Sequence, residues 1–225
     1  VLSLAAGVDS NRQITFTEVG DRDWVRAWMD EFQPMKFGQD LWIVPGQQQA
    51  PDPDAFIIEL DPGLAFGSGT HPTTHLCMEW IDAYGFRGKD VVDFGCGSGV
   101  LGIAAAVKGA ASVCCVDNDP QALQATLENA KRNGVGGKIS VLDAVDFTGA
   151  FADVILANIL AGTLVELAPA LCLSLKPGGW LVLSGILPEQ AGEVHETYAQ
   201  WLEDMSARTR DGWVMISGRR GMQEQ

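Results

Sequence analysis

The stretch Val91-Val92-Asp93-Phe94-Gly95-Cys96-Gly97-Ser98-Gly99 decides the fold. Its apolar residues have strand character and lead through a carboxylate into a glycine-rich turn, and the aliphatic run from Val100 to Lys108 then predicts a helix. Strand, glycine turn and helix in this order are typical of a nucleoside-binding βαβ unit. Asp117 follows about twenty residues later, where a carboxylate can bind ribose hydroxyls. The alternative is a glycine turn with a structural role only.

Downstream of this turn, predicted strands and helices alternate. Apolar runs bounded by turn residues predict strands at Ser112–Val116, Ile139–Leu142, Val154–Ala157, Trp180–Ser184 and Trp213–Gly218. Helices are predicted from Val100, at Pro120–Asn133 and at Thr163–Leu175, with a turn at Lys176-Pro177-Gly178-Gly179. The alternation predicts an α/β, Rossmann-like fold, in which a mostly parallel central sheet has helices on both faces and an antiparallel last strand.

The segment before residue 55 shows a different pattern. Ile14–Val19 and Leu41–Val44 predict short strands, with a short helix between them that ends near Phe32. A connection rich in proline and glutamine follows. We therefore expect a preface and linker segment at residues 1–54 and a cofactor-binding catalytic domain at residues 55–225.

The register of the glycines indicates which nucleoside the turn binds. Gly97-Ser98-Gly99-Val100-Leu101-Gly102 fits the dinucleotide pattern G-x-G-x-x-G, but in dinucleotide-binding folds the first glycine directly follows the strand. Here Gly95 and Cys96 intervene, and the carboxylate of Asp93 at the mouth of the turn would repel a pyrophosphate.

A cationic nucleoside fits this turn better than a diphosphate. S-adenosylmethionine carries a sulfonium, an ammonium and a ribose but no phosphate. Asp-x-Gly-x-Gly-x-Gly after a strand resembles the first motif of class I methyltransferases. We therefore expect S-adenosylmethionine as the cofactor, with Asp93, Gly95, Gly97 and Asp117 in its binding site. A nicotinamide-dependent oxidoreductase is the alternative.

Composition sets limits on partners and compartment. The chain has 225 residues, 47% of them hydrophobic, and a net charge of −14, which disfavours direct nucleic-acid binding and favours a basic protein substrate. Five cysteines, an odd number, do not suggest a disulfide framework and fit a reducing compartment. No apolar run approaches the roughly eighteen residues of a membrane span, and no signal peptide is visible. We expect a cytoplasmic protein that does not bind membranes.

The loop before the sheet, Asp61–Thr74, contains three glycines and two prolines. Thr73 and Thr74 fall in the first turn of a predicted helix that begins near Pro72 and ends before Gly85. Their hydroxyls could bind the cofactor carboxylate, or could simply cap the helix. His71 and His75 could share a helical face, but no third ligand is in register, so we expect no metal.

Asn158 ends the predicted strand Val154–Ala157, where open α/β sheets present their ligands. The amide of an asparagine in this position needs a partner. Its oxygen could orient a substrate amine, which would make Asn158 catalytic, and its NH₂ group could hold the cofactor. The alternative is a cap for the following helix.

Taken together, four motifs resemble bacterial ribosomal protein L11 methyltransferases. They occupy residues 66–74, 93–99, 116–122 and 157–162, and read Phe-Gly-Ser-Gly-Thr-His-Pro-Thr-Thr, Asp-Phe-Gly-Cys-Gly-Ser-Gly, Val-Asp-Asn-Asp-Pro-Gln-Ala and Ala-Asn-Ile-Leu-Ala-Gly. The resemblance runs from about Ile14 to the C-terminus. It implies a class I methyltransferase fold, with Thr74, Gly95, Asp117 and Asn158 as cofactor contacts.

The resemblance also implies a reaction and a partner. Family members methylate lysine side chains and the N-terminal amine of ribosomal protein L11, and they carry an N-terminal recognition domain that we expect to be missing upstream of residue 1. Other possibilities are a class I methyltransferase for another protein or a small molecule, and a cofactor-binding module without activity.

Overall fold

A computed structural model describes residues 33–46, 48, 52, 54–60, 69–149 and 151–222. They belong to one compact unit, Phe32–Gln225. The predicted strand and helix between residues 14 and 32 lie outside the described residues. The division between residues 1–54 and 55–225 stays a prediction.

The described residues include ten strands and five α-helices. The strands are β1 (Met35–Phe37), β2 (Leu41–Val44), β3 (Phe56–Glu59), β4 (Asp90–Phe94), β5 (Ser112–Asp117), β6 (Ile139–Asp143), β7 (Ala152–Asn158), β8 (Leu175–Ile186), β9 (Leu202–Arg210) and β10 (Trp213–Arg220). The helices are α1 (Pro72–Ala83), α2 (Val100–Val107), α3 (Pro120–Arg132), α4 (Ala161–Leu173) and α5 (Ala191–Ala199).

Seven strands form the central sheet, in the order β6-β5-β4-β7-β8-β10-β9. The pairs β6–β5, β5–β4, β4–β7 and β7–β8 are parallel, and β10 is antiparallel to both β8 and β9. The predicted parallel sheet with an antiparallel last strand is therefore confirmed. Because β4 lies between β5 and β7, the carboxyl ends of these three strands meet at one edge of the sheet, where open α/β folds bind ligands.

Two buried clusters cover the two faces of this sheet. Alternate residues of β4 point to opposite faces, so that Val91 packs with α1, α2 and α3, whereas Val92 and Phe94 pack with α4 and α5. The second face is closed by Tyr198, which is fully buried and donates its hydroxyl to the carbonyl of Leu164 at 2.7 Å.

A small sheet of β1, β2 and β3 packs on the α1 and α2 side of the molecule. Phe37, Ile43 and Ile58 belong to the same buried cluster as those two helices. Lys108, just after α2, links the small sheet to α1, because its Nζ donates to Asp40, between β1 and β2, at 2.7 Å and to Asp82 in α1 at 3.1 Å.

The predicted turn at Lys176–Gly179 falls within the bounds of strand β8, where it interrupts the ladder instead of preceding the strand. The ladder between β7 and β8 shifts register between Ala152 and Val154, and Gly178 has a φ of +74°. The four residues 176–179 lie opposite the single residue Asp153, so the chain bulges out of the ladder here and pairing resumes at Trp180.

Within the described part of the chain, no helix is long and apolar enough to cross a membrane. All five cysteines are described, and each is a free thiol.

Candidate active site

The glycine turn lies between β4 and α2. Gly95 has a φ of +71° and Gly97 a φ of +54°, a region that side chains with a Cβ rarely adopt. A Cβ on Gly95 would also overlap the side chain of Ile159. The sequence therefore needs glycine at position 95 both for the backbone conformation and for the close approach of Ile159.

The backbone amides of this turn are used inside the protein. Gly95 and Cys96 both donate to the carbonyl of Val116, at 2.7 and 3.0 Å. Gly97 donates to the carboxylate Oδ2 of Asp117 at 2.9 Å. A pyrophosphate bound at a glycine turn relies on amides without other partners. The turn is therefore poorly suited to a dinucleotide.

Asp117 ends β5 with a half-buried carboxylate. Its Oδ2 accepts from the amide of Gly97, and its Oδ1 accepts from the amide of Asp119 at 3.0 Å. Because a carboxylate has about four acceptor positions, these two bonds fix its orientation and leave capacity for further donors such as ribose hydroxyls.

Asp93 lies behind the turn rather than at its mouth. Its side chain is only 1% exposed, and its Oδ2 accepts from the amide of Gly102 in α2 at 2.8 Å. Burial raises the pKa of this carboxyl to about 7, and the nearby Asp117 adds to the shift. Asp93 therefore anchors α2 to β4, a role that the sequence analysis missed, and its contact with a cofactor stays a prediction.

Helix α3 holds the turn from the other side. Thr126 donates its hydroxyl to the carbonyl of Gly97 at 3.1 Å, and Asn129 donates its side-chain amide to the carbonyl of Ser98 at 3.0 Å. Neither residue was predicted from the sequence to contact the turn. The available signal was their spacing, because residues i and i+3 of a helix share a face.

The first turn of α1 is capped by a histidine. His71 is the N-cap, and its Nδ1 accepts from the amide of Thr73 and lies 2.7 Å from the hydroxyl of Thr73. The alternative in which a threonine caps α1 is therefore wrong. The ring of His71 contacts that of Trp213 edge-on, with centroids 4.9 Å apart.

Asn158 ends β7 and contacts the start of α1. Its Nδ2 donates to the hydroxyl of Thr74 at 3.4 Å, although the two residues are 84 positions apart. Helix α4 begins at Ala161 with Leu160 as its N-cap, so Asn158 does not cap it. With Nδ2 directed at Thr74, the amide oxygen of Asn158 remains an acceptor for another donor.

An open cleft of about 410 Å³ lies beyond the carboxyl ends of β7 and β8. The side chain of Leu160 at its rim is 75% exposed. The cleft is lined by Leu160, Ala161, Gly162, Thr163, Glu166, Gly185, Leu187, Gln190 and Trp213.

His75 does not join His71 in a metal site. Its Nδ1 lies 3.7 Å from Oε1 of Glu79, and its ring packs on that of Phe37. Burial lowers the pKa of His75, and the positive charge of Arg210 lowers it further. Among the residues that the structure describes, no three His, Cys, Asp or Glu side chains form a group that could hold a metal.

The sequence profile described as ribosomal protein L11 methyltransferase (PrmA) matches residues 2–221. The chain belongs to this family. Two L11 methyltransferases give the degree of similarity. The protein of Pseudomonas paraeruginosa is 54% identical over 204 residues, which cover 90% of this chain and 69% of the relative. The protein of Shewanella piezotolerans is 50% identical over 218 residues, which cover 96% of this chain and 74% of the relative.

Solved structures agree with the L11 methyltransferase assignment. A ribosomal protein L11 methylase from Lactobacillus delbrueckii subsp. bulgaricus superposes with a TM-score of 0.77 at 34% identity, over 84% of this chain and 100% of that chain. An RNA methyltransferase from Salinibacter ruber, solved with S-adenosyl-L-homocysteine, superposes with a TM-score of 0.54 at 19% identity, over 69% of this chain and 97% of that chain. The second likeness shows the fold alone, and the predicted class I methyltransferase fold is confirmed.

In this L11 methyltransferase fold, the predicted site residues fall into two groups. Gly95, Gly97 and Asp117 form the first, and Thr74 and Asn158 form the second. Ile159 connects them, because it follows Asn158 in the chain and packs over Gly95.

Proposed function

We propose that this chain transfers methyl groups from S-adenosylmethionine to amines of ribosomal protein L11, namely lysine side chains and the N-terminal amine. The observation that carries the proposal is the hydrogen bonding of the glycine turn. Its amides at Gly95, Cys96 and Gly97 are occupied by protein acceptors, and the side chain that accepts from Gly97 is a carboxylate, that of Asp117. Such a site favours a cationic nucleoside over a phosphate-bearing one.

The residues present fit S-adenosylmethionine. Asp117 would accept from the ribose hydroxyls, and the positive φ values of Gly95 and Gly97 form the tight turn that brings the backbone near the ligand. Thr74 and Asn158 would hold the amino-acid end through hydroxyl and amide groups. When bound, the cofactor supplies an electrophilic methyl group on its sulfonium.

The acceptor amine must reach the methyl group as a free base. A lysine ammonium has no lone pair to donate, and its reference pKa is about 10.4, so the site has to favour the neutral form through burial or proton loss to water. With its NH₂ group donating to Thr74, the amide oxygen of Asn158 would accept an N–H of the neutral amine and so orient its lone pair. The contribution of the chain is then mainly alignment of the two reactants.

The cleft beyond β7 and β8 is the route by which we propose the amine enters. Its apolar walls at Leu160, Leu187 and Trp213 would shield the amine from water. The net charge of −14 would attract a basic protein segment and repel nucleic acid. Because the proposed substrate is a ribosomal protein, we expect the reaction to take place in the cytoplasm.

Mass spectrometry of purified ribosomal protein L11, incubated with this chain and S-adenosylmethionine, tests the proposal. We expect methyl additions on lysine side chains and on the N-terminal amine, and none when S-adenosylmethionine is omitted. A second sample should replace L11 with another basic protein. L11 that stays unmodified over many turnover times, or equal labelling of both proteins, would contradict the assignment of the substrate.

A further inference from the structure

We infer that Ser184 is a positioning residue for methyl transfer, which acts by fixing the contact between Asn158 and Thr74. The inference rests on the proposed function. It concerns a serine near the end of β8 that none of the motifs includes, and it begins from a ring of contacts that joins β8, β7 and the first turn of α1.

The first part of the ring is backbone pairing. Ser184 is the direct partner of Asn158 in the parallel ladder between β8 and β7, and its carbonyl accepts from the amide of Ile159 at 3.2 Å. The backbone on both sides of the Asn158 side chain is therefore fixed relative to Ser184.

The second part of the ring is a side-chain bond to α1. The hydroxyl of Ser184 donates to the carbonyl of Thr73 at 3.1 Å, across 111 residues of sequence. The next residue, Thr74, receives the amide of Asn158 through its own hydroxyl. One hydroxyl thus sets where the first turn of α1 lies relative to the end of β7.

Burial makes this bond persistent. Ser184 is fully buried, and Thr73 and Thr74 are 2% and 1% exposed, so water cannot easily replace the serine hydroxyl. The thiol of Cys77 lies beside Ser184, and burial raises its pKa to about 12, so it stays neutral and places no charge next to the serine hydroxyl.

The consequence concerns the orientation of Asn158. The bond from Asn158 to Thr74 is long, at 3.4 Å, so a small displacement of α1 would break it. The amide of Asn158 could then rotate, and its oxygen would no longer point consistently toward the acceptor amine. Loss of the Ser184 hydroxyl should therefore slow transfer while leaving the turn that holds the nucleoside unchanged.

Ser184→Ala tests this, with Ser174→Ala as the matched control. Ser174 is also a buried serine, and its hydroxyl also donates to a backbone carbonyl, that of Ala170 at 2.7 Å, but it is the C-cap of α4 and precedes β8. We expect kcat for L11 methylation to fall about fivefold in Ser184→Ala, the factor that corresponds to about 1 kcal/mol. Affinity for S-adenosylhomocysteine should fall by a smaller factor than kcat, because the turn that holds the nucleoside is not touched, and Ser174→Ala should keep the kcat of the wild type.

A double-mutant cycle separates positioning from general loss of structure. In the Asn158→Ala background, Ser184→Ala should reduce kcat no further, because the side chain through which it acts is absent. A kcat in Ser184→Ala equal to that of Ser174→Ala would overturn the inference. So would the same fractional reduction with and without Asn158.

A second measurement does not depend on activity. The side-chain NH₂ resonances of Asn158, assigned by their absence in Asn158→Ala, should shift in a ¹⁵N spectrum of Ser184→Ala and stay in place in Ser174→Ala. Resonances that stay in place in both variants would refute the role of Ser184. A wild-type chain that transfers no methyl group would instead refute the proposed function, and the spectra would still test the contact.

Discussion

Replacing Asp117 by asparagine should weaken cofactor binding strongly. The carboxylate accepts two backbone amides, from Gly97 and Asp119, which leaves acceptor capacity for the ribose hydroxyls that we propose it binds. An asparagine has one acceptor oxygen, so its NH₂ group would face one of these amide donors and at least one ribose hydroxyl would lose a charged acceptor.

The magnitude follows from the kind of bond that is lost. A hydrogen bond to a charged group contributes about 1.5–3 kcal/mol, which corresponds to a loss of affinity of roughly 10-fold to 150-fold. The assay is calorimetric titration of the purified chain with S-adenosylhomocysteine, which avoids turnover.

Asp119→Asn is the control for charge. Asp119 lies two residues further on, caps α3 by accepting from the amide of Gln121 at 2.9 Å, and is exposed. Asparagine is an equally good N-cap, so this variant removes one negative charge without removing a proposed ligand. We expect its affinity to stay within twofold of the wild type. Equal weakening in both variants, or none in Asp117→Asn, would refute the assignment of the ribose acceptor.

Three further substitutions test other parts of the site. Asn158→Ala should reduce kcat at least tenfold, with a smaller change in affinity for S-adenosylhomocysteine, and the opposite pattern would make Asn158 chiefly a cofactor contact. Gly95→Ala should destabilise the fold by about 1–3 kcal/mol, because of the positive φ and the overlap with Ile159, and an unchanged urea midpoint would contradict this. Asp93→Asn tests the carboxyl whose pKa is raised to about 7. The folded wild type keeps its proton up to about pH 7, whereas the unfolded chain releases it near pH 4. The free energy of unfolding of the wild type should therefore fall as the pH rises from 4 to 7, whereas that of Asp93→Asn should not change through this group. Relative to the wild type, the variant should gain up to about 4 kcal/mol over that range, measured by urea unfolding at each pH. A difference that does not vary with pH would show that Asp93 does not titrate in this range.

Elements with regular apolar patterns could be predicted from the sequence. The observed bounds of strand β4 and helix α1 agree with the predicted ones to within a residue or two. Both elements have enough buried apolar residues to show the spacing typical of a strand or a helix. Strand β9 could not be predicted, since its residues are mostly exposed and it exists through pairing with β10. Helix α5 was missed for a related reason, because only Val194 and Tyr198 are buried.

Some residues of the site could also be predicted from local sequence, whereas the positions of others depend on the whole fold. Gly95 and Gly97 could be predicted from local chemistry, because a turn with positive φ selects glycine. The contact of Asn158 with Thr74 depends on strand order and on where α1 begins, neither of which the sequence states. The depth of Asp93 was misjudged because strand alternation directs its side chain toward α2.

A pair of titrations tests the central claim most directly. The wild-type chain should bind S-adenosylhomocysteine with one site per chain, and should give no binding heat with NADH over the same concentrations. Binding of NADH without binding of S-adenosylhomocysteine would mean that the turn holds a diphosphate after all, and the account of the site would be wrong.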